Sequence, residues 1–191
     1  EDQVDKQQRF VGKTTILGAG YGMGAVKFQA QLESFGTYIP LDEARRIINI
    51  YRDANWKISH LWREAQNMIA YMERGDTLEF GKEGVVEVLG DRSAIRLPSK
   101  LLMRYDDLQA EQGEQGVEYT YKTRRGRTRI YGGKVIENTC QALARCIIAE
   151  QMLLIAKRYR AVLTVHDSVI GCVPIDEAEE AKQYIEKCMK Y

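Results

Sequence analysis

Four glycines in eight residues, Leu17-Gly18-Ala19-Gly20-Tyr21-Gly22-Met23-Gly24, constrain the start of this chain more than any other feature. Glycine in a helix interior costs about 1 kcal/mol relative to alanine, so four at alternate positions end or bend any helix that reaches them. Residues 6 to 17 read as such a helix, and Ala25 to Glu33 as a second. Arg9, Lys13, Leu17 and Tyr21 stand four apart and share one helical face that ends at the break. Two cations, then an apolar side chain, then an aromatic ring make a graded surface. It suits a triphosphate at one end, where Lys is a point charge and Arg a fork for phosphate oxygens, and a sugar and base at the other. The same spacing also describes an ordinary amphipathic helix with solvated cations.

Two familiar phosphate motifs fail here. Gly12-Lys13-Thr14 has the tail of a P-loop, but Gln7 stands where the leading Gly is needed, and a charged, Gln-rich segment stands where a strand should precede. The glycine run misses the dinucleotide fingerprint because Met23 occupies the position of its third Gly.

Pro40 and Asp42 open a long helix, with Asp42 as its N-cap. Ala44, Ile47, Ile48, Tyr51, Ala54, Ile58, Leu61, Trp62, Ala65 and Ile69 keep helical steps up to a stop near Arg74-Gly75. Short β-branched or aromatic runs then predict strands over Val85 to Leu89, Ala94 to Leu97, Leu101 to Tyr105, Val117 to Lys122 and Arg127 to Tyr131. After Gly132-Gly133 a strong helix carries the stripe Ile136, Cys140, Leu143, Ala144, Ile147, Ile148, Leu154 and Ile155. Two apolar strands, Ala161 to Val165 and Val169 to Val173, flank His166-Asp167-Ser168 as a hairpin. Pro174 and Asp176, with Glu179 at the capping-box position, begin the last helix. Helices first, then an antiparallel sheet mixed with helices, make the class α+β.

The 191 residues, with 28 Lys plus Arg against 27 Asp plus Glu, suit one large domain or two small ones. The four cysteines, Cys140, Cys146, Cys172 and Cys188, form no C-x-x-C pair and read as reduced thiols of an intracellular protein. The longest apolar candidate, Cys146 to Ala156, is interrupted by Glu150 and Gln151, so no membrane partner is expected. The charge is uneven. Lys122, Arg124, Arg125, Arg127, Arg129 and Lys134 fall together without an acid, interleaved with Tyr119, Tyr121 and Tyr131. That stretch reads either as a track for duplex phosphates or as a charged edge hairpin. A start at Glu1 and an end at Tyr191 within a periodic segment read as a piece of something longer.

Two further constellations bear on chemistry. An ionised Asp167 between two buried strands needs a partner, and a metal ion supplies one, although Asp is also common in plain turns. Glu137, Asn138, Gln141 and Arg145 gather on the polar side of their helix, where amides can donate to the minor-groove acceptors of base pairs or simply meet solvent.

The order of these motifs resembles the family A (DNA polymerase I-like) DNA polymerases, bacteriophage members in particular. Arg9-x3-Lys13-x7-Tyr21-Gly22 is similar to their motif B, and Val165-His166-Asp167 to their motif C. Glu137-Asn138-x2-Gln141-Ala142-x-Ala144-Arg145 is similar to the intervening helix. The resemblance spans nearly the whole chain and is weakest between Glu79 and Glu118.

It implies a partial right-hand polymerase fold, with helical fingers over residues 1–78 and an antiparallel palm portion with packed helices over residues 79–191. Arg9 and Lys13 would bind the phosphates of a deoxynucleoside triphosphate, Lys13 with a catalytic role. Leu17 would lie beside the sugar, where relatives carry Phe or Tyr, and Tyr21 near the templating base. Gln141, Asn138, Arg145 and His166 would contact the primer-template. Asp167 would be a catalytic carboxylate holding Mg²⁺ in a two-ion site. Ser168 stands where motif C commonly has Glu, and Cys146 where many relatives have Asp. No Asp-x-Ser-x-x-Glu motif A occurs, so the second carboxylate would come from the remainder of the polymerase chain, and this chain alone would be inactive. The implied activity is DNA-directed DNA polymerisation in the cytoplasm, that of a bacterial host if the gene is a phage's. Ser168 and the missing motif leave a non-catalytic nucleic-acid-binding module as the alternative.

Overall fold

The structure, a computed structural model, describes residues 4–113 and 116–190. Residues 1–3, 114–115 and 191, and with them both outer limits of the expected domains, lie outside the described residues. Helices α1 (Lys6–Ala19), α2 (Ala25–Ser34) and α3 (Leu41–Ala54) pack around buried Ala19, Phe28, Leu32, Ala44 and Ile48. Each large side chain buried there contributes about 1.5–3 kcal/mol.

The long helix expected from Pro40 to Gly75 is two helices. Asn55, at φ −114 and ψ 41, separates α3 from α4 (Trp56–Glu73). Its side-chain amide donates to the Tyr51 carbonyl at 2.9 Å, the acceptor its own backbone N–H also uses. Asn competes with the helix ladder in this way wherever it finds a local carbonyl. The break turns the apolar stripe, so Ala54 and Ile58 are exposed, while Ala65, Met68, Ile69 and Met72 are buried. Asp42 is not the cap. Pro40 holds that position, and Asp42 lies in the first turn, where its charge meets the positive end of the helix dipole.

Strands β1 (Thr77–Phe80), β2 (Val86–Leu89), β3 (Ala94–Arg96) and β4 (Leu102–Arg104) form an antiparallel sheet in sequence order. Leu78, Val88, Ile95 and Met103 stand in register on one face and pack with Met68, Ile69 and Met72 of α4. A second sheet joins β5 (Gln109–Gly113), β6 (Gly116–Thr123) and β7 (Gly126–Ile130). Its Tyr119, Tyr121 and Ile130 face the same core. Period two puts Glu118, Thr120, Lys122, Arg127 and Arg129 on the other face.

Helix α5 (Gly132–Ala156) then runs about 37 Å. Its buried positions include Val135, Thr139, Gln151 and Ile155, whereas Cys140, Ala144 and Ile147 of the expected stripe are exposed. By length and composition α5 could cross a membrane, although the sequence reading found no such stretch; it packs on α4 and on the elements that follow. Those are β8 (Arg160–Val165), β9 (Ser168–Cys172) and α6 (Ala178–Met189). A single turn over Ile175–Glu177 precedes α6, which has no side-chain cap, so the expected capping box at Glu179 does not form.

The β8–β9 hairpin is irregular. Ala161 pairs with Gly171 but Leu163 with Ile170, leaving Val162 as a bulge. Ala161 and Val169 pack with Ile155, Tyr159 and Ala181, but Val162, Leu163, Val165 and Ile170 are exposed. The two strands are therefore not buried as expected, and burial does not force a charge partner on the exposed Asp167.

Candidate functional site

The face of α1 opposite its core carries Arg9, Lys13 and Leu17, all exposed. A capping box sets the helix start: Asp5 accepts from the Gln8 N–H at 2.7 Å, and the Gln8 side chain accepts from the Asp5 N–H at 3.1 Å. Thr14 is buried, and Thr15 donates to the Val11 carbonyl at 2.7 Å. Gly12-Lys13-Thr14 therefore lies inside a helix, which disposes of the P-loop geometry.

The helix stops by paired backbone bonds, Gly22 N–H to Ala19 at 3.0 Å and Met23 N–H to Gly18 at 3.2 Å, with Gly22 left-handed at φ +78. This is a Schellman stop, which favours glycine at its left-handed position. Met23 folds back over Gly18, where a Cβ would meet its sulfur at 2.9 Å. The stop exposes Tyr21 at the end of the Arg9–Lys13–Leu17 face.

A cleft of about 800 Å³ opens beside this turn. Leu17 and Tyr21 form one wall, Lys27 of α2 lies at the edge, and Arg129, Tyr131, Lys134 and Glu137 form the other wall. Tyr131 donates to the Tyr21 carbonyl at 3.3 Å across it. Arg9 and Lys13 do not line the cleft; they continue the α1 face about 12 and 6 Å beyond Leu17. Lys27 was not singled out from the sequence, since a lone Lys on an amphipathic helix carries no signal.

Helix α5 is seated by close backbone approach. A Cβ on Gly132 would come within 1.9 Å of the Trp62 carbonyl oxygen, and the Gly132 N–H donates to Gln66 Oε1 at 2.9 Å. From there Lys134 donates to Glu137 Oε2 at 2.6 Å, and Gln141 to Glu137 Oε1 at 3.3 Å. The hydrogen bond that Lys134 donates to Glu137 raises the Lys134 pKa above its ordinary value. Gln141 and Arg145 are exposed, but Asn138 is half-buried and its amide donates to Tyr105 Oη at 3.3 Å. Burial, first, raises the Tyr105 pKa.

Arg145 Nη1 donates to Thr164 Oγ1 at 3.3 Å, which fixes the hairpin against α5. The strand runs back along the helix. His166 follows the end of β8 at Val165, two residues beyond the Thr164 that Arg145 holds. His166 has φ +54, and both it and Asp167 are exposed.

Asp167 offers one carboxylate, and its neighbour Ser168 offers none. Among the described residues no group of three or more His, Cys, Asp or Glu side chains could hold a metal ion. The residues present therefore do not by themselves compose a two-ion site.

The basic stretch is partly neutralised. Arg127 donates to Asp107 Oδ2 at 2.6 Å and to Thr120 Oγ1 at 3.0 Å, Arg129 pairs with Glu118, and Lys134 with Glu137. The hydrogen bond from Arg127 holds the Asp107 carboxyl below its ordinary pKa. Both the phosphate track and the charged edge thus have a foothold: β7 is an edge strand, while Arg124 and Arg125 are exposed at its turn.

No family model matches the chain. It is 31% identical over 176 residues to the DNA polymerase of Bacillus phage SP02, covering 85% of this chain and 26% of the phage protein. Its fold superposes with a TM-score of 0.53 on the POL domain of Pol1 from M. smegmatis, solved in complex with DNA primer-template and dNTP. That match covers 98% of this chain and 28% of the other, at 18% identity. The resemblance to family A DNA polymerases holds. The fold is α+β and corresponds to part of a polymerase domain, and the chain spans about a quarter of the length of each relative. The likeness in fold takes in both the helices around Tyr21 and the hairpin of Asp167.

Proposed function

We propose that the chain is the nucleotide- and template-handling part of a DNA-directed DNA polymerase, with fingers over residues 1–78 and a palm portion over residues 79–191. The observation that carries this reading is the cleft that joins Leu17 and Tyr21 to Lys134 and Glu137. Lys13 and Arg9, exposed and without a carboxylate partner among the described residues, receive triphosphate oxygens. Leu17 faces the sugar, and Tyr21 faces the templating base from the end of the helix. Gln141 and Arg145, exposed one turn apart on α5, and His166 at the hairpin tip contact the primer-template; Asn138 supports them by bonding to Tyr105. Helix α4 belongs to the fingers in sequence but shares its core with the sheets, so it joins the two parts rather than ending one.

Asp167 contributes one carboxylate toward Mg²⁺, and another segment of the polymerase must supply the second. The protein works inside the cell, a bacterial one if its gene is a phage's.

Primer extension with Mg²⁺ tests the reading when the chain is joined to an upstream segment carrying Asp-x-Ser-x-x-Glu. Lys13→Ala should raise the nucleotide requirement far more than it weakens DNA binding, and Asp167→Ala should abolish extension. Undiminished extension by Asp167→Ala removes it as a metal ligand. Salt-dependent DNA binding without any turnover would instead mark a binding module.

A further inference from the structure

The β6–β7 hairpin is an arm built on one wall of the cleft. Arg129, at its base, lines the cleft beside Lys134 and Glu137. Four residues before it, about 13 Å along the strand, the arm turns through Arg124 and Arg125. Thr123 fixes that turn, since its Oγ1 donates to the Gly126 carbonyl at 2.7 Å and accepts from the Arg125 N–H at 3.2 Å.

The two faces of the arm differ. Tyr119 is buried, and Tyr121 is half-buried with its ring edge-on to Tyr105 at 5.2 Å between centroids, so the rings interleaved with the cations in sequence face the core. The opposite face carries Lys122, Arg127 and Arg129. Its charges are sorted by position. Arg129 pairs with Glu118, and Arg127 bonds Asp107 Oδ2, the Asp107 carbonyl and the Thr120 carbonyl. Arg127 is thus a brace that spends its donors inside the arm. Towards the tip the balance ends: Lys122, Arg124 and Arg125 are exposed and make no ion pair among the described residues.

We propose that the tip of this arm grips the backbone of the primer-template duplex and keeps the polymerase on it from one addition to the next. Single-strand sites join cations to ring faces on which bases stack. Here the rings are turned inward and cations alone are offered, a surface that takes phosphates without reading bases. Its base adjoins the start of α5, the helix whose Gln141 and Arg145 meet the duplex, so the two surfaces continue one another. Contacts of pure charge let a protein slide along DNA, which suits a hold that must release and regain phosphates at every step. Lys122, Arg124 and Arg125 touch no reacting atom.

This role rests on the polymerase reading and is separable from it. In the full polymerase chain, affinity is measured by titration for a blunt duplex and for a single strand of the same length. Primer extension is run beside it with a DNA trap, so that each product records a single encounter. The Arg124→Ala/Arg125→Ala double variant should bind the duplex roughly tenfold more weakly. Its slope of log affinity against log salt should become shallower by about 1.8, the value for two lost contacts to B-DNA. Single-strand affinity and the nucleotide KM should stay constant, and single-encounter products should be severalfold shorter. Equal loss on the single strand would assign the arginines to unpaired template, and unchanged duplex affinity would leave the arm a charged edge; either overturns the proposal. So would products of parental length despite weaker duplex binding. Lys122→Ala leaves the turn intact and carries the test if the double variant fails to fold. Its salt slope on the duplex should become shallower by about 0.9, and an unchanged slope overturns the proposal. A parent that extends primers while the variants bind duplex as it does sinks this role alone. A parent that binds duplex and extends nothing sinks the polymerase reading instead.

Discussion

Tyr131 Oη donates to the Tyr21 carbonyl at 3.3 Å, and this bond ties the end of the basic hairpin to the glycine turn that closes α1. The bond is exposed and contributes about 1 kcal/mol at most. Tyr131→Phe should therefore lower Tm by no more than about 2–4 °C in scanning calorimetry. If the turn is held in place by this bond, the same variant raises the nucleotide KM severalfold while duplex affinity stays constant. Parallel loss of both would count against that role.

Gly132 and Gly12 should respond oppositely to alanine. A Cβ at Gly132 meets the Trp62 carbonyl at 1.9 Å, so α4 and α5 must part, at a cost of about 1–3 kcal/mol or more. At Gly12, inside α1, a Cβ meets nothing within 4 Å. Replacing that glycine should stabilise by about 0.4–1 kcal/mol. Urea denaturation of the two variants checks the sign at each position.

Tyr105 makes stability sensitive to alkali. Burial raises its folded pKa above the ordinary 10.0, so the unfolded chain loses the phenolic proton first. The contribution is complete below about pH 10 and declines as pH climbs through the folded value. Melting curves taken across that range should fall less steeply for Tyr105→Phe than for the parent. An identical decline would exclude Tyr105 as a source.

Leu17 lies on the cleft wall, where a larger ring would change the shape offered to a sugar. Leu17→Phe should alter the ratio of dideoxynucleotide to deoxynucleotide incorporation by about tenfold or more, the order set by one good contact of about 1.4 kcal/mol. Incorporation ratios equal to the parent's would take Leu17 away from the sugar.

Much of this fold was legible because its signals are local. The glycine run marked the end of α1, and the strands with β-branched runs were found to within a residue or two. What escaped depended on competition or distance. Asn55 splits a helix whose apolar stripe continues across the split, because one side-chain amide finds a carbonyl a turn away. Strands β1 and β5 are short or polar, and only their partners define them. The stripe on α5 was misplaced because the helix has apolar residues on more than one face, so periodicity could not choose the buried one. At the site, motif order located α1, α5 and the hairpin. It could not show that Asn138 bonds Tyr105 or that Arg127 bonds Asp107, since those meetings belong to the tertiary structure.

The bulge at Val162 has its own consequence for the hairpin tip. With strict alternation, Thr164 would turn away from α5 and Leu163 would take its place. The extra residue shifts the phase once, so Ala161 and Thr164 both look inward and Arg145 finds its hydroxyl. One residue thus sets the azimuth of everything downstream on that strand. A regular ladder built on the present sequence would swing His166 and Asp167 to the opposite side, a mis-aimed tip on an otherwise sound scaffold, whereas deleting Val162 would simply remove the bulge and keep Thr164 inward.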